Sequence, residues 1–360
     1  NKGGIAIRLI NLAKIVTGRT PGGLAQTNIL ANALFGAISG SGTAAASAMG
    51  SIIGPIEKDE GYDPNFSAAA NIATAPTGLL IPPSNVMITF SLVSGGTSVA
   101  ALFMAGYIPG ALWALACMLV VYIYAKKAGY RSQTKLTGKE KFNAFIQALP
   151  CLLLIVIVIG GIIAGVFTAT EGSVVAVVYS LLLSIYGYKS MKWKDLPEIF
   201  RASAEMTGII IFLIGVSSIM SWVMAFTNIP TMVSNGLLSI SSNKYVILLM
   251  INIILLVVGT FMDMTPATLI FTPIFLPVCT ALGMNTIHFG IMLIFNLCIG
   301  TITPPVGTTL FVGVKVGGVK IETVFKHLLP YFFAIIVVLM LVTYIPQLSL
   351  WLPGLMGYVS

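Results

Sequence analysis

The sequence predicts an all-α polytopic membrane protein made of two repeats with inverted topology. The prediction depends on an extreme apolar composition, an internal repeat at fixed spacing, and an odd number of crossings between the two halves. Hydrophobic residues make up 57% of the 360 residues and charged residues only 8%. A soluble domain carries about 25% charged residues, so this chain could not cover a globule with polar groups. Repeated apolar stretches near the ~20 residues that span hydrocarbon indicate a membrane protein.

The net charge of +8 does not indicate nucleic-acid binding. Lysine and arginine lie in short loops between apolar stretches, which is typical of cytoplasmic loops under the positive-inside rule. The four cysteines lie in apolar segments without CxxC spacing, so neither a disulfide nor a zinc site is expected. The opening residues 1–4 resemble the exit from an earlier segment, and we expect a truncated N-terminus.

The repeat aligns Ser41–Ile123 with Asp263–Ile345 at an offset of 222 residues and without gaps. Glycines and prolines match across it: Gly78 with Gly300, Pro82-Pro83 with Pro304-Pro305, and Gly95-Gly96 with Gly317-Gly318. Apolar helices share leucine and valine by chance, but shared Gly and Pro pairs at one offset indicate a true repeat.

Both halves contain the same parts in the same order. Two short apolar segments meet at a polar tip and predict a re-entrant hairpin, because each is too short to span comfortably. A long apolar segment follows that a proline pair must interrupt, and a full span closes the half. The predicted division is a first repeat at 1–125 (hairpin 23–56, broken helix 66–95, closing span 99–125), a basic loop with scaffold spans at 126–223, and a second repeat at 224–360 (hairpin 245–280, broken helix 288–317, closing span 325–347).

The basic loops set the predicted orientation. Six lysines and arginines place the 126–142 loop in the cytoplasm, namely Lys126, Lys127, Arg131, Lys135, Lys139 and Lys141. Five crossings separate the hairpins, at 66–95, 99–125, 143–168, 173–188 and 203–223. Because five is odd, the second half is inverted, and the first hairpin enters from the cytoplasm while the second enters from outside.

This architecture favours transport. Unpaired backbone groups are costly in hydrocarbon, so broken helices persist only where protein buries them or where they line a wet cavity. Inverted repeats with discontinuous helices are typical of secondary transporters. Half-helix N-termini attract anions, and unwound carbonyls offer oxygen ligands to a small cation. Two related copies would give two cation sites flanking one substrate site.

Several motifs resemble the large membrane subunit of TRAP transporters, the tripartite ATP-independent systems that depend on a periplasmic binding protein. They are Ser39-Gly40-Ser41-Gly42-Thr43, Gly61-Tyr62-Asp63-Pro64, Ile81-Pro82-Pro83-Ser84 and Ile302-Thr303-Pro304-Pro305-Val306-Gly307. The resemblance covers nearly the whole chain. The segment from Gly259 to Pro273 looks closest to the sialic-acid and sugar-acid branches.

The resemblance implies an elevator-type fold of the ion-transporter superfamily in the bacterial inner membrane. It implies Na⁺-driven import of a small organic acid, such as a sialic acid, a sugar acid or a C4-dicarboxylate. The expected partners are a small four-helix membrane subunit, separate or fused, and a periplasmic binding protein. No cofactor is expected beyond Na⁺ as the coupling ion.

Two sodium sites are expected at the hairpin tips. In the first, Ser39 and Ser41 would act with backbone carbonyls at Gly78, Ile81 and Pro83. Hydroxyl and carbonyl oxygens without a carboxylate suit Na⁺ better than Ca²⁺. The alternative for Ser39–Thr43 is that its small residues merely pack helices closely.

Asp263 aligns with Ser41 and is the expected centre of the second site, with Gly300, Thr303 and Pro305 around the ion. An acid within a membrane segment is costly and usually functional. The alternative is a helix-capping aspartate beside an N-cap Thr265.

Ser84, Asn85 and Thr308 follow the proline breaks and are the expected substrate contacts, although each could merely cap its half-helix. A binding-protein-independent sodium/anion symporter of the same superfamily and an ion channel remain alternative functions. No nucleophile–base set favours an enzyme. The segments 23–95 and 245–317 are expected to move as one block against a scaffold that contains 143–223.

The inverted repeat predicts that Ser94–Ser98 lies outside and Val316–Lys320 inside. Single cysteines at Gly95 and Gly317, in a cysteine-free background, should react with an impermeant reagent from opposite sides of the membrane. Labelling of both from one side would refute the inversion.

Overall fold

The computed structural model describes residues 4–130, 137–241 and 243–358. Arg131 and Lys135 of the predicted cytoplasmic loop lie outside the described residues. The described chain is helical, and the helices in chain order are α1 (Ile5–Thr17), α2 (Gly23–Ser39), α3 (Gly42–Asp59), α4 (Pro64–Thr74), α5 (Thr77–Leu80), α6 (Asn85–Val93), α7 (Val99–Ala128), α8 (Gly138–Ile163), α9 (Ala169–Leu182), α10 (Leu196–Phe226), α11 (Ile229–Ile240), α12 (Lys244–Gly259), α13 (Met264–Ala281), α14 (Thr286–Thr301), α15 (Thr308–Gly317), α16 (Ile321–Tyr344) and α17 (Gln347–Leu355).

The helices agree closely with the segments predicted from the sequence. Within the described ranges, six stretches are long and apolar enough to cross a membrane, and a seventh is added if α4 to α6 form one broken span. The chain is therefore a polytopic membrane protein. Helix α13 reaches the length of a short span, so its re-entrant course stays a prediction, as do the inverted repeat and the domain division.

Local sequence sets the helix boundaries at matching positions of the two halves. Asp63 caps α4 by accepting a hydrogen bond from the backbone N–H of Asn65 at 2.8 Å. Asn285 caps α14 in the same way, with the N–H of Ile287 at 2.8 Å. An Asx side chain satisfies an N–H that has no partner inside the helix. The two first half-helices thus begin with the same capping geometry.

The structure also contains breaks and helices that the sequence did not predict. The segment before the first proline pair is interrupted a second time, because α4 ends at Thr74 and α5 begins only after Pro76. Proline lacks an N–H and disfavours helix in the residue before it. Helices α1 and α17 were not predicted either.

The helices cluster into two units. The first holds 1–83, 110–193 and 308–338, and the second holds 84–109, 194–307 and 339–360. Each proline break is also a boundary between units, so the second half of a broken helix belongs to a different unit from the first half.

In the first unit, α15 packs on α3 and α4. Glycines permit this approach: a Cβ at Gly313 would lie 2.1 Å from the Ile72 side chain, and one at Gly317 would lie 2.9 Å from Ala68. In the second unit, α6 packs on α13 and α14, and a Cβ at Gly290 would lie 2.5 Å from the ring of Phe90. In both units the half-helix after a proline break is therefore held on the second helix of a hairpin.

Candidate functional site

The first hairpin tip, Ser39–Thr43, is a tight turn that concentrates hydroxyl groups. Helix α2 ends at Gly40, whose φ of 60° is left-handed and therefore suits glycine. Ser41 is extended and caps α3, since its Oγ accepts from the N–H of Ala44 at 3.3 Å. The same Oγ lies 3.0 Å from the Thr43 hydroxyl. The Ser39 Oγ lies 3.4 Å from both the backbone nitrogen and the backbone oxygen of Ser41.

The last turn of α2 lies directly against the broken helix. A Cβ at Gly78 would lie 2.0 Å from the Cα of Gly36, so the two backbones touch. Ile81 leaves α5 in extended conformation and donates its N–H to the Thr77 carbonyl at 2.9 Å. Pro83 follows it on the same break. The structure thus brings Gly78 beside α2 a few residues before the tip.

Two residues that the sequence did not place near this tip, Thr309 and Pro76, lie close to it. A Cβ on Gly42 would lie 3.2 Å from the Thr309 Oγ1 and 3.6 Å from the Cα of Pro76. Thr309 is buried, whereas the predicted neighbour Thr308 is only half-buried. The sequence offered no means of choosing between these adjacent threonines.

At the second hairpin tip, Asp263–Pro266, the structure corrects one of the alternatives. Asp263 itself, not Thr265, occupies the N-cap position of α13, and its side chain accepts no capping hydrogen bond. The carboxylate is exposed. Asp263 thus holds the cap position without a capping hydrogen bond from its side chain, and its role as a sodium ligand stays a prediction.

The loop before Asp263 contacts the second broken helix through backbone atoms. A Cβ at Gly300 would lie 2.3 Å from the carbonyl oxygen of Gly259. The N–H of Val306, directly after Pro305, donates to the Thr260 carbonyl at 3.2 Å. The N–H of Thr303 donates to the Gly300 carbonyl at 3.0 Å, and its hydroxyl donates to the Ile299 carbonyl at 2.7 Å. Gly300, Thr303 and Pro305 thus lie on a segment that is bound to the hairpin loop.

The three expected substrate contacts lie where half-helices begin. Ser84 is the N-cap of α6 and Asn85 its first residue, in the second unit. Thr308 begins α15, in the first unit. Ser84 is buried and Asn85 exposed. Their convergence on one substrate stays a prediction.

Buried amide clusters are a feature that the sequence reasoning missed. In the first unit, the Asn32 Nδ2 lies 2.8 Å from the Asn28 Oδ1, 3.0 Å from the Asn71 Oδ1 and 3.1 Å from the Thr74 hydroxyl. In the second unit, the Asn296 Nδ2 donates to the Asn252 Oδ1 at 2.6 Å. Isolated asparagines in apolar segments were the available signal, because a buried polar group needs a partner.

The described helices define a multi-pass membrane protein, and comparison with known proteins gives the family. The model of the DctM component of the tripartite ATP-independent periplasmic transporters matches residues 1–348. The chain therefore belongs to the TRAP transporter large permeases, which confirms the resemblance, and it is a multi-pass protein of the bacterial inner membrane.

Individual relatives agree with this assignment. The chain is 54% identical to the uncharacterized protein YgiK of Salmonella typhimurium, over 99% of this chain and 81% of that protein. It is 36% identical to the sialic acid TRAP transporter large permease of Vibrio cholerae, over 99% of this chain and 84% of the relative. It is 37% identical to the isethionate TRAP transporter permease of Oleidesulfovibrio alaskensis, of which it covers 55%.

The glycine contacts predict a stability effect. Gly78→Ala and Gly300→Ala should each lower the free energy of unfolding by about 1–3 kcal/mol, because the added methyl group would overlap backbone atoms. Thermal unfolding in detergent would measure it. Gly54→Ala is the matched control, since its Cβ would meet nothing within 4 Å. Equal melting temperatures for all three variants would contradict the close backbone contact.

Proposed function

We propose that this chain is the membrane permease of a Na⁺-driven symporter that imports a small organic acid. The observation that carries the proposal is that, in each unit, a hairpin arm meets a proline-broken helix by direct backbone contact, through Gly36 and Gly78 and through Gly259 and Gly300. Such a junction supports the proposal because it ties each hairpin to a helix whose backbone is interrupted a few residues further on.

The chemistry of the two tips suits sodium. The first site would combine the Ser39 and Ser41 hydroxyls with the carbonyls of Gly78, Ile81 and Pro83. The second would combine the Asp263 carboxylate with oxygens of Gly300, Thr303 and Pro305. A set of mostly neutral oxygens with at most one carboxylate matches a monovalent hard cation, whereas Ca²⁺ sites usually have more carboxylates.

Two sodium ions would supply enough energy for concentrative uptake. Each ion that moves down a membrane potential of 100 mV releases about 2.3 kcal/mol. Two ions give about 4–5 kcal/mol, which is roughly a thousandfold in concentration before the charge of the substrate is subtracted.

The substrate class follows from the relatives and from the breaks. The relatives are named for sialic acid, isethionate and C4-dicarboxylates, and all of these are organic acids. The segments 81–85 and 302–308 contain no lysine or arginine. The acid would therefore be held by Ser84, Asn85 and Thr308, by half-helix N-termini and by the bound sodium.

The partners are proposed from the family. A tripartite, periplasmic transporter requires a soluble binding protein that delivers the substrate, and we expect a small membrane subunit beside the permease. The isethionate relative, named DctMQ, is nearly twice as long as the matched region. Its length supports a small subunit that is separate in some members and fused in others.

Uptake into proteoliposomes tests the function. A panel of organic acids, presented with the cognate binding protein, should reveal one substrate whose uptake saturates and stops without a sodium gradient. Current without the binding protein would indicate a channel, and uptake without it would indicate an independent symporter.

The sodium sites predict specific kinetic changes. Ser39→Ala/Ser41→Ala and Asp263→Asn should each raise the half-saturating sodium concentration about tenfold or more. The first removes two hydroxyl ligands and the second removes a negative charge, and a tenfold change corresponds to about 1.4 kcal/mol. Ser51→Ala and Asp59→Asn are matched controls at exposed positions of α3. An unchanged sodium dependence in the tip variants would show that the tips serve only to pack the helices and do not bind sodium.

An elevator movement is proposed for the cycle, with the hairpins and broken helices moving as a block. Within the second unit, α13 packs both on α6, which would move with it, and on α10, which belongs to the proposed scaffold. A disulfide between α13 and α6 should therefore spare uptake, whereas one between α13 and α10 should abolish it while substrate binding persists. The opposite pattern would favour local gating by a hairpin.

A further inference from the structure

A cavity whose lining includes several polar side chains lies in the first unit, at the end of the hairpin remote from its tip. It has a volume of about 280 Å³, and its lining includes Asn28, Glu57, Lys58, Ser67, Asn71 and Gly317. Glu57 is fifteen residues beyond Gly42 on α3, or roughly 20 Å along the helix at 1.5 Å per residue. The cavity is therefore separate from the proposed sodium site.

Glu57 is buried without a partner. Its side chain has no exposed surface, and neither carboxylate oxygen forms a hydrogen bond to the described residues. The hydroxyl of Ser67 on α4 is close enough to influence it but does not reach hydrogen-bond geometry, and that hydroxyl also lacks a partner.

The charged groups on the packed elements do not neutralise Glu57. Helices α2 and α4, which pack on α3, carry none. The charged residues next to Glu57 in sequence are Lys58, Asp59 and Glu60. The packed helices contribute Lys315 on α15 and Arg8 and Lys14 on α1. Two tyrosines, Tyr62 in the next loop and Tyr331 on α16, interact with Glu57 electrostatically. No lysine, arginine or histidine of the described ranges lies within 4.0 Å of its oxygens.

A buried carboxylate without a counter-charge is strongly disfavoured, and such a group usually takes up a proton instead. Burial raises the pKa of Glu57 to about 8, with a smaller opposing effect from Ser67 and a further increase from the charge of Glu60.

We propose that Glu57 is a proton-binding site at the base of the first hairpin, neutral at physiological pH, and that the adjoining cavity is its route of exchange. A proton fits better than a metal ion, because both oxygens are closed to water and a proton needs no shell of ligands. Movements that hydrate the cavity would release the proton. This inference does not depend on the sodium or organic-acid proposals.

Infrared difference spectroscopy of the purified protein tests the proton directly. At pH 6 the wild type should show a C=O band of a protonated carboxylic acid that is absent from Glu57→Gln and retained in Glu60→Gln, a matched exposed control. The band should titrate with a midpoint near pH 8. Absence of the band would overturn the proposal, and so would its loss on adding Na⁺ at constant pH, which would indicate a metal site.

Thermal stability gives an independent readout. Because the pKa of Glu57 is raised from 4.5 to about 8, the unfolded chain binds fewer protons than the folded one between these values. Stability should therefore fall as the pH rises from about 4.5 to about 8, relative to Glu57→Gln, and the difference should level off above that range. If the stability of the wild type and that of Glu57→Gln change in parallel with pH, Glu57 is already ionised in the folded protein and the proposal is wrong. If Glu57→Gln does not fold, Ser67→Ala should move the infrared midpoint to higher pH.

Discussion

The contact between bare backbones at Gly36 and Gly78, and again at Gly259 and Gly300, fixes the relation of each hairpin to its broken helix. At these distances no side chain fits between the chains. In hydrocarbon, helices gain little from apolar burial against each other, so close van der Waals approach between small residues becomes a main source of association. The same closeness holds each broken helix against one arm of its hairpin.

A broken helix within a membrane must also satisfy the backbone groups that the break releases. The second break does so partly through the hairpin, since Val306 donates to the Thr260 carbonyl. The first broken helix is supported from α7, where the buried Trp113 indole donates to the Ala73 carbonyl at 2.9 Å, just before Pro76. Hydrogen bonds from neighbouring elements therefore support both broken helices at or near their interruptions.

Much of this organisation could be predicted because it depends on local chemistry. The hairpin helices begin and end within a few residues of the predicted bounds, since Gly40, Ser41 and Asp263 mark the tips by conformation or capping position. The breaks were marked by Pro82, Pro83, Pro304 and Pro305, because proline lacks a backbone N–H and clashes with the preceding turn of a helix. The extra break at Pro76 was missed because one proline in an apolar run can also be accommodated by a kink.

Features that depend on contacts distant in sequence were not predictable. Thr309 rather than Thr308 lies beside Gly42, because the direction in which α15 packs on α3 decides which of two adjacent threonines is buried. Asn32 and Asn71 are 39 residues apart and become partners only through the packing of α2 on α4.

Glu57 shows how the two kinds of information combine. In sequence it is one of several charges near Lys58 and Glu60, at what looks like a solvated helix end. In the fold it alone of these residues is fully enclosed, while the charged residues that follow it, 58–60, remain exposed. The hairpin has half-buried hydroxyl groups at its tip, where we propose that sodium binds. At its base it has one acid from which water is excluded, and there a proton is the ligand with the lowest cost. The proposed sodium site and the proposed proton site would then lie at the two ends of one helix, and they would differ in how tightly the protein packs around their oxygen atoms.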